Sequence, residues 1–478
     1  MVCFMKVLFI EPPKDFWFVM GEYTPPPLGI LQLAAFLESR IPDFDIIVLD
    51  CQAEQVGWDD LRRLIGSIEP DVVVSSALAT CNTYTIIRTL DIIKKIDPQI
   101  KTVVGGQHFT ALSNESLEKY PEIDFIIRGE GELTLVDLLQ DIEQDRPLEK
   151  VDGISFRHGD KIVHNLPRAL IDNLDDLPFP GYHFIENNMD KYHFKMMAHS
   201  NAGYAMVEAS RGCLHKCTFC SQWPYWGGRW RTKSPKRIAD EMEYIYNEYD
   251  ISFLWLTDDN LGLGKRTSDL CDELIKKGVS DSITWFIQAR SDDIVQHKKI
   301  LPKMRRAGNY WVMAGLERHD DKTITNYHKG IKPNDSKLSM DLLKENGIFA
   351  QATLIMGDRS DSHNSIQKLR DFVNNVDPDL AIFMVLTPFP GTDLYKTARE
   401  NGWLEEDNWA NYDMAHAVMP TEHLTVPEVQ EELYLCYRDF YGSIKRRVTG
   451  VFSKNTFKRK TYRYMASQGL LQYMRDLY

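Results

Sequence analysis

Short apolar runs alternate with segments of helical pattern twice along this 478-residue chain, and each run ends on small or polar residues. No other feature restricts the fold as much. A strand buried on both faces and followed by an amphipathic helix, repeated several times, closes as a parallel sheet with helices packed against it. In the first block the strands fall at 6–10, 45–49, 72–75, 102–104 and 125–127, with helices at 28–38, 58–68, 84–95, 116–119 and 134–144. The class is α/β, and residues 1–145 are expected to form a doubly wound parallel sheet. In the second block, apolar runs at 205–209, 253–256, 283–287, 311–314, 350–355 and 381–386 each precede a helical stretch. This predicts a partial (β/α)6 TIM-like barrel over 201–395. Residues 146–200 read as a connector that ends in the turn Leu177-Pro178-Phe179-Pro180-Gly181. Residues 396–478 read as a helical C-terminal extension, apolar at helical spacing over 426–441, and the extension is expected to cap the barrel mouth.

Sheets and barrels of this kind bind ligands at the carboxyl ends of their strands, so the chemistry is sought there. In the first block Ser75 and Ser76 follow the third strand, Gly105-Gly106-Gln107-His108 the fourth and Arg128-Gly129-Glu130-Gly131-Glu132 the fifth. Two glycine-bearing turns at one edge let the backbone approach a bulky ligand. A nicotinamide or flavin site is the alternative, but the first turn reads Glu11-Pro12-Pro13 where a dinucleotide site needs Gly-x-Gly-x-x-Gly. In the second block the first strand leads into Arg211-Gly212-Cys213-Leu214-His215-Lys216-Cys217-Thr218-Phe219-Cys220. Cys213, Cys217 and Cys220, spaced C-x3-C-x2-C, point to a metal site. Structural zinc takes four protein ligands, whereas three thiolates on an iron-sulfur cluster leave one iron open to a small molecule. His215 could complete a zinc site only in a strained loop. A plain electron carrier would add a fourth nearby cysteine, which this segment lacks.

Taken together, the turns of the first block resemble the cobalamin-binding domain that precedes certain radical enzymes. The resemblance runs through Pro25-Pro26-Pro27-Leu28-Gly29, Asp50-Cys51-Gln52-Ala53-Glu54 and the two glycine turns. It implies a cobalamin contacted by Ser75, Ser76, Gly105, Gly106, His108, Gly129 and Glu130. No histidine precedes His108 and there is no Asp-x-His-x-x-Gly segment, so such a cobalamin would lack a histidine lower ligand, its lower face empty, water-bound or covered by a non-coordinating side chain.

The cysteine run, with Phe219 just before its last cysteine, closely resembles the radical S-adenosylmethionine superfamily, in which this loop holds a [4Fe-4S] cluster. The resemblance implies that the open iron takes the amino and carboxylate groups of S-adenosylmethionine, which an electron then cleaves to a 5′-deoxyadenosyl radical. It also implies cofactor contacts from Phe219, from Asp258 and Asp259 after the second barrel strand, from Gln288 and Arg290 after the third, and from Glu317 at the end of the fourth. The segment that follows, Ser221-Gln222-Trp223-Pro224-Tyr225-Trp226-Gly227-Gly228-Arg229-Trp230-Arg231, is similar to the anaerobic magnesium-protoporphyrin monomethyl ester cyclase group. Its aromatic residues either line a flat pocket, with Arg229 and Arg231 meeting carboxylates, or pack the loop on the barrel.

These resemblances imply a C-methyltransferase that uses methylcobalamin, with an oxidative cyclase-like reaction on a tetrapyrrole as the alternative. A non-catalytic cobalamin and Fe-S electron-transfer protein is the reading from another class. The implied partners are an external electron donor such as flavodoxin or ferredoxin and a small-molecule substrate: a tetrapyrrole, an isoprenoid lipid or a peptide.

The net charge of −13 argues against general nucleic-acid binding, which needs clustered cations. One stretch departs from that balance. Lys445, Arg446, Arg447, Lys454, Lys458, Arg459, Lys460, Arg463 and Arg475 follow one another without an intervening acid, interleaved with Phe452, Phe457, Tyr462 and Tyr464. This is either a solvated helical face or a contact with an anionic substrate, partner or membrane surface. The chain has no run of about eighteen apolar residues, and its first residues lack the pattern of a secretory signal, so a cytoplasmic location is expected. Cys3, Cys51, Cys81, Cys271 and Cys436 read as small buried residues, too sparse for a disulfide framework.

Overall fold

The computed structural model describes residues 5–13, 23–77, 79–194, 203–404 and 408–468; Cys3 and Arg475 lie outside them. Side chains of β1 (Lys6–Glu11) alternate between two cores, Val7 and Phe9 entering one and Leu8 and Ile10 the other. A strand buried on both faces needs helices on both. After a two-residue β2 (Tyr23–Thr24) come β3 (Asp45–Asp50), β4 (Val72–Ser76), β5 (Lys101–Gly105), β6 (Phe125–Ile127) and the hairpin of β7 (Ile154–His158) and β8 (Lys161–His164). Their order across the sheet is β3-β1-β4-β5-β6-β7-β8, parallel as far as β6 and antiparallel beyond it. Helices Leu28–Arg40 and Glu132–Glu143 cover one face, Trp58–Ile68 and Thr83–Ile96 the other. The strand order reverses between β1 and β4, which opens a ligand crevice outside their carboxyl ends. The hairpin arises from residues read as connector and extends the sheet, with Phe156 opposite Phe125 at 6.2 Å between ring centroids.

The connector also ties the two blocks together. β9 (His193–Phe194) pairs with β2 and sets Tyr23 and Phe194 against the barrel residues Trp255 and Trp311, at centroid distances of 6.3 and 5.6 Å. Next come β10 (Tyr204–Val207), a small ladder of β11 (Ser210–Arg211) with β12 (Arg231–Thr232), and then β13 (Phe253–Leu256), β14 (Thr284–Arg290), β15 (Asn309–Glu317), β16 (Phe349–Met356) and β17 (Leu380–Val385). The strands β10-β13-β14-β15-β16-β17 form one parallel six-stranded sheet, an open partial barrel.

An open barrel leaves unpaired backbone groups on its edge strands. Helix Val426–Tyr441 meets them on β17. The Tyr437 hydroxyl donates to the Phe383 carbonyl at 2.8 Å and accepts from the Phe383 N–H at 3.2 Å, and Tyr441 does the same for Ala381 at 2.6 and 3.1 Å. Two hydroxyls one helical turn apart thus satisfy two alternate strand residues.

This docking carries the end of the chain away from the mouth. Helices Ile444–Val451 and Thr456–Gln468 lie beneath the barrel, where the Tyr462 hydroxyl donates to the Asp379 carbonyl at 3.0 Å and Arg446 to that of Pro378 at 3.1 Å, both just before β17 begins. The part of the extension that reaches the ligand edge of the first sheet lies earlier: Trp409, Tyr412 and Val418 cluster with Tyr395 and Leu112. Met419 of the extension packs with Tyr327, Ile355 and Leu386 at the mouth, whereas helix Val426–Tyr441 seals the barrel's edge. No helix among the described residues is long and apolar enough to cross a membrane.

Candidate functional site

β11 passes into the cysteine loop through Gly212, whose φ is +87° and whose missing Cβ would stand 2.0 Å from the Arg229 carbonyl oxygen. No side chain fits there. Backbone bonds then shape the loop: Cys220 N–H to the Cys217 carbonyl at 3.1 Å, Thr218 N–H to that of Tyr327 at 3.1 Å, and Leu394 N–H to that of Thr218 at 3.2 Å. The Trp223 indole donates to the Cys217 carbonyl at 3.0 Å. Burial raises all three thiols above the usual range and pushes Cys220 up to about 12. Lys329 opposes this at all three cysteines, and Arg290 at Cys213 and Cys217. Among the described residues no three His, Cys, Asp or Glu side chains converge as a single ion requires. A cluster asks for less, because its thiolates bind separate irons.

Several barrel-end residues gather at this loop. Glu317 ends β15 at a bulge, with φ +57°, and accepts from Lys329 Nζ at 2.7 Å. Burial lowers Lys329, but the Glu317 carboxylate and Cys217 together outweigh it and hold the ammonium above its ordinary value. Arg290 forks onto Asp292 at 2.9 and 2.8 Å and donates to the Lys329 carbonyl at 2.6 Å. Asp259 is close enough to raise Cys213 and Cys220; burial, Asp258 and Glu208 push its own carboxyl up to about 7. Phe219 packs edge-on to Tyr327 at 5.1 Å. Asp258 faces inward, accepting from Ser210 at 2.8 Å beside Arg266, with burial pushing it up to about 6. Gln288 is half-buried, and its backbone carbonyl accepts from Leu261 N–H.

The ligand edge of the first sheet stands against this same loop. Gln107 accepts from the Ser221 hydroxyl at 2.8 Å and donates to Gln222 at 2.9 Å, so its side chain bridges to the two residues after Cys220. The Tyr225 hydroxyl donates to the Gly129 carbonyl at 2.9 Å. Beneath them lies a buried clasp in which Arg211 donates to Glu130 at 2.7 Å and Glu132 at 2.6 Å, and Arg231 to Glu130 at 2.8 Å. Burial alone would raise Glu132, but Arg211 holds its carboxyl below the usual range.

Gly106, at φ +94°, lies so close to β4 that a Cβ would meet the Ala77 carbonyl oxygen at 2.4 Å, near Ser76. The turn after β5 therefore packs directly against the backbone that follows β4. Gly105 abuts the Ile127 carbonyl, and Gly129 faces open space at φ +75°. Ser75 is buried and donates to the Ile10 carbonyl at 3.0 Å. His108 is 1% exposed, and burial pushes it down to about 4, so the ring is neutral. It lies edge-on to Trp409 at 5.0 Å, and Nδ1 has no hydrogen-bond partner among the described residues. A glycine cradle and a buried unpartnered imidazole nitrogen fit a large cofactor here, as the cysteine loop fits a cluster.

The aromatic segment after the loop packs it in place. Trp226 lies under the guanidinium groups of Arg211 and Arg231, Trp230 meets Arg266, and Arg229 pairs with Asp172 at 2.6 Å. Lys329, Gln107 and Arg211 are contacts that sequence reading passed over. Arg211 adjoined the cysteine run and Gln107 stood within a quoted turn, but Lys329 follows a short helix without any periodic signal.

Residues 20–139 match the B12 binding domain family and residues 207–373 the radical SAM superfamily. An uncharacterised methyltransferase of Pyrococcus horikoshii is 30% identical over 473 residues, which span 98% of both chains. The chain belongs to the cobalamin-dependent radical S-adenosylmethionine enzymes. Its cofactors are cobalamin, S-adenosylmethionine and a [4Fe-4S] cluster. The anaerobic magnesium-protoporphyrin IX monomethyl ester cyclase of Rubrivivax gelatinosus is likewise 30% identical, over 95% of this chain and 80% of the relative. The fold is shared with the radical S-adenosylmethionine methyltransferase TsrM of Kitasatospora setae, at a TM-score of 0.73 and 14% identity over 99% of this chain and all of that one.

Proposed function

We propose that the protein transfers a methyl group to an unactivated carbon of a small molecule. When bound, the cluster supplies the electron that cleaves S-adenosylmethionine to the 5′-deoxyadenosyl radical, and cobalamin supplies the methyl group. The observation that carries the reading is the Gln107 bridge. It holds the ligand edge of the first sheet against the residues that follow Cys220, so both cofactors can address one substrate carbon. The chain's own groups then have defined tasks. Lys329 and Arg290 offset thiolate charge beside the loop and offer cations to a carboxylate, while Asp259 and Glu317 offer carboxylates to an ammonium group. The apolar cluster of Phe219, Tyr327, Ile355, Leu386 and Met419 keeps water from the loop. End-to-end likeness to a methyltransferase supports this reaction.

A cyclase-like oxidation of a tetrapyrrole is the second reading, favoured by equal identity to the Rubrivivax enzyme. Counting products separates them. Methyl transfer predicts S-adenosylhomocysteine and 5′-deoxyadenosine in equal amounts on a productive substrate; 5′-deoxyadenosine without matching S-adenosylhomocysteine means cyclase-like chemistry. Failure of the loaded, reduced protein to cleave S-adenosylmethionine at all would leave a binding or electron-transfer protein.

A further inference from the structure

Helix Ile444–Val451 and its C-terminal cap turn an apolar stripe to solvent. Ile444, Val448 and Phe452 are 77, 52 and 74% exposed, and residues four apart share one helical face. The opposite face is fixed. Gly450 lies so close to the Tyr462 ring that a Cβ would approach it to 2.3 Å. Arg446, over the Phe440 ring, pairs with Asp377 at 2.7 Å. The stripe therefore cannot roll inward without breaking this packing.

Cations flank it. Lys445, Arg447 and Lys454 are exposed, and no acid occurs between positions 440 and 475. In the stretch from Lys445 to Arg463, the basic residues paired with acids among the described residues are Arg446, with Asp377, and Lys458, with Asp379. A chain of net charge −13 thus presents one positive face with an apolar crest. Exposed apolar side chains ringed by lysine and arginine suit an anionic lipid surface, where the former enter the acyl boundary and the latter meet headgroups.

We propose that this face docks the protein on anionic membranes. Other occupants fit it less well. A second copy would set like charges against each other across a two-fold contact. An electron donor must approach the cluster, but Tyr462 and Phe457 anchor this region at the starts of β17 and β13. The cysteine loop lies at the other end of the barrel, about 30 Å away for a strand of β15's length. A nucleic acid would meet the cations and leave the stripe in water.

The test uses the full chain with its cofactors, sedimented with vesicles of phosphatidylcholine alone or mixed with phosphatidylglycerol. Binding should favour the anionic vesicles by about tenfold or more and weaken with added salt. The pairs Ile444→Ser with Phe452→Ser, and Lys445→Glu with Arg447→Glu, should each lower that binding, again by about tenfold. Both variants should keep the parent melting temperature and cleavage of S-adenosylmethionine. Equal binding to both vesicles, binding to neither, or unchanged binding by the serine pair would overturn the proposal. So would a concentration-dependent dimer that Phe452→Ser dissolves, which would assign the face to a second copy.

Discussion

Gly212 shows how much one missing atom decides. Its positive φ and the 2.0 Å gap to the Arg229 carbonyl leave an added methyl group no room, and the atom it would meet is backbone that cannot swing aside. Gly212→Ala should therefore lose iron and its charge-transfer absorbance on reconstitution while keeping the parent far-ultraviolet dichroism; a full iron complement would refute this account of the loop. Asp50 offers a test of a different kind. It is buried beneath Tyr192, whose hydroxyl donates to it at 2.9 Å, and burial followed by Glu11 pushes its carboxyl up to about 6. Unfolded aspartate titrates near 3.9. Between those values the folded state holds more protons than the unfolded, so stability falls as pH rises from about 4 to about 6 and then levels off. Asp50→Asn removes that loss. Its advantage in chemical denaturation should grow by up to about 2–3 kcal/mol between pH 4 and pH 7. Residue roles of this sort were only partly legible in the chain. Position at a strand end marked Glu130, but position alone does not separate a carboxylate that meets a ligand from one that meets an arginine 81 residues later.

Secondary-structure elements were far more legible, because burial on both faces leaves continuous apolar runs that local pattern reveals. Helix Val426–Tyr441 is a case in point: its boundaries follow from its spacing, but its place does not. Its apolar face packs into the barrel core, and two tyrosine hydroxyls on that face close the edge of β17; hydroxyls carry no periodic signal. Tyr437→Phe and Tyr441→Phe would each leave a strand N–H and carbonyl buried without a partner, at about 1–3 kcal/mol apiece. Denaturation midpoints should drop accordingly, and the double variant should aggregate more readily through its opened edge. Unchanged midpoints would mean that apolar packing alone holds the helix. The β7–β8 hairpin falls on two segments, 153–157 and 161–164, whose mixed signals read as connector for a related reason. β7 is short and β8 is largely exposed, so the pair resembles connector until β6 offers it an edge.

At the scale of the whole molecule, the two sheets matter less separately than in their mutual placement. Each block's ligand edge can be read from its own turns, yet the contacts that set the edges face to face join residues far apart in the chain. Gln107 to Ser221, Tyr225 to Gly129, and the clasp of Glu130 and Glu132 on Arg211 all cross that gap. Desolvating the clasp's buried charges offsets much of their mutual attraction. The central claim is thus one of distance: cluster and cobalamin share one substrate space. Paramagnetic resonance of the protein loaded with reduced cluster and cob(II)alamin measures it most directly. Face-to-face cofactors predict dipolar broadening of both signals, lost from the cobalt signal when Cys217→Ala removes the cluster. Two unperturbed signals from a protein holding both cofactors would contradict the account.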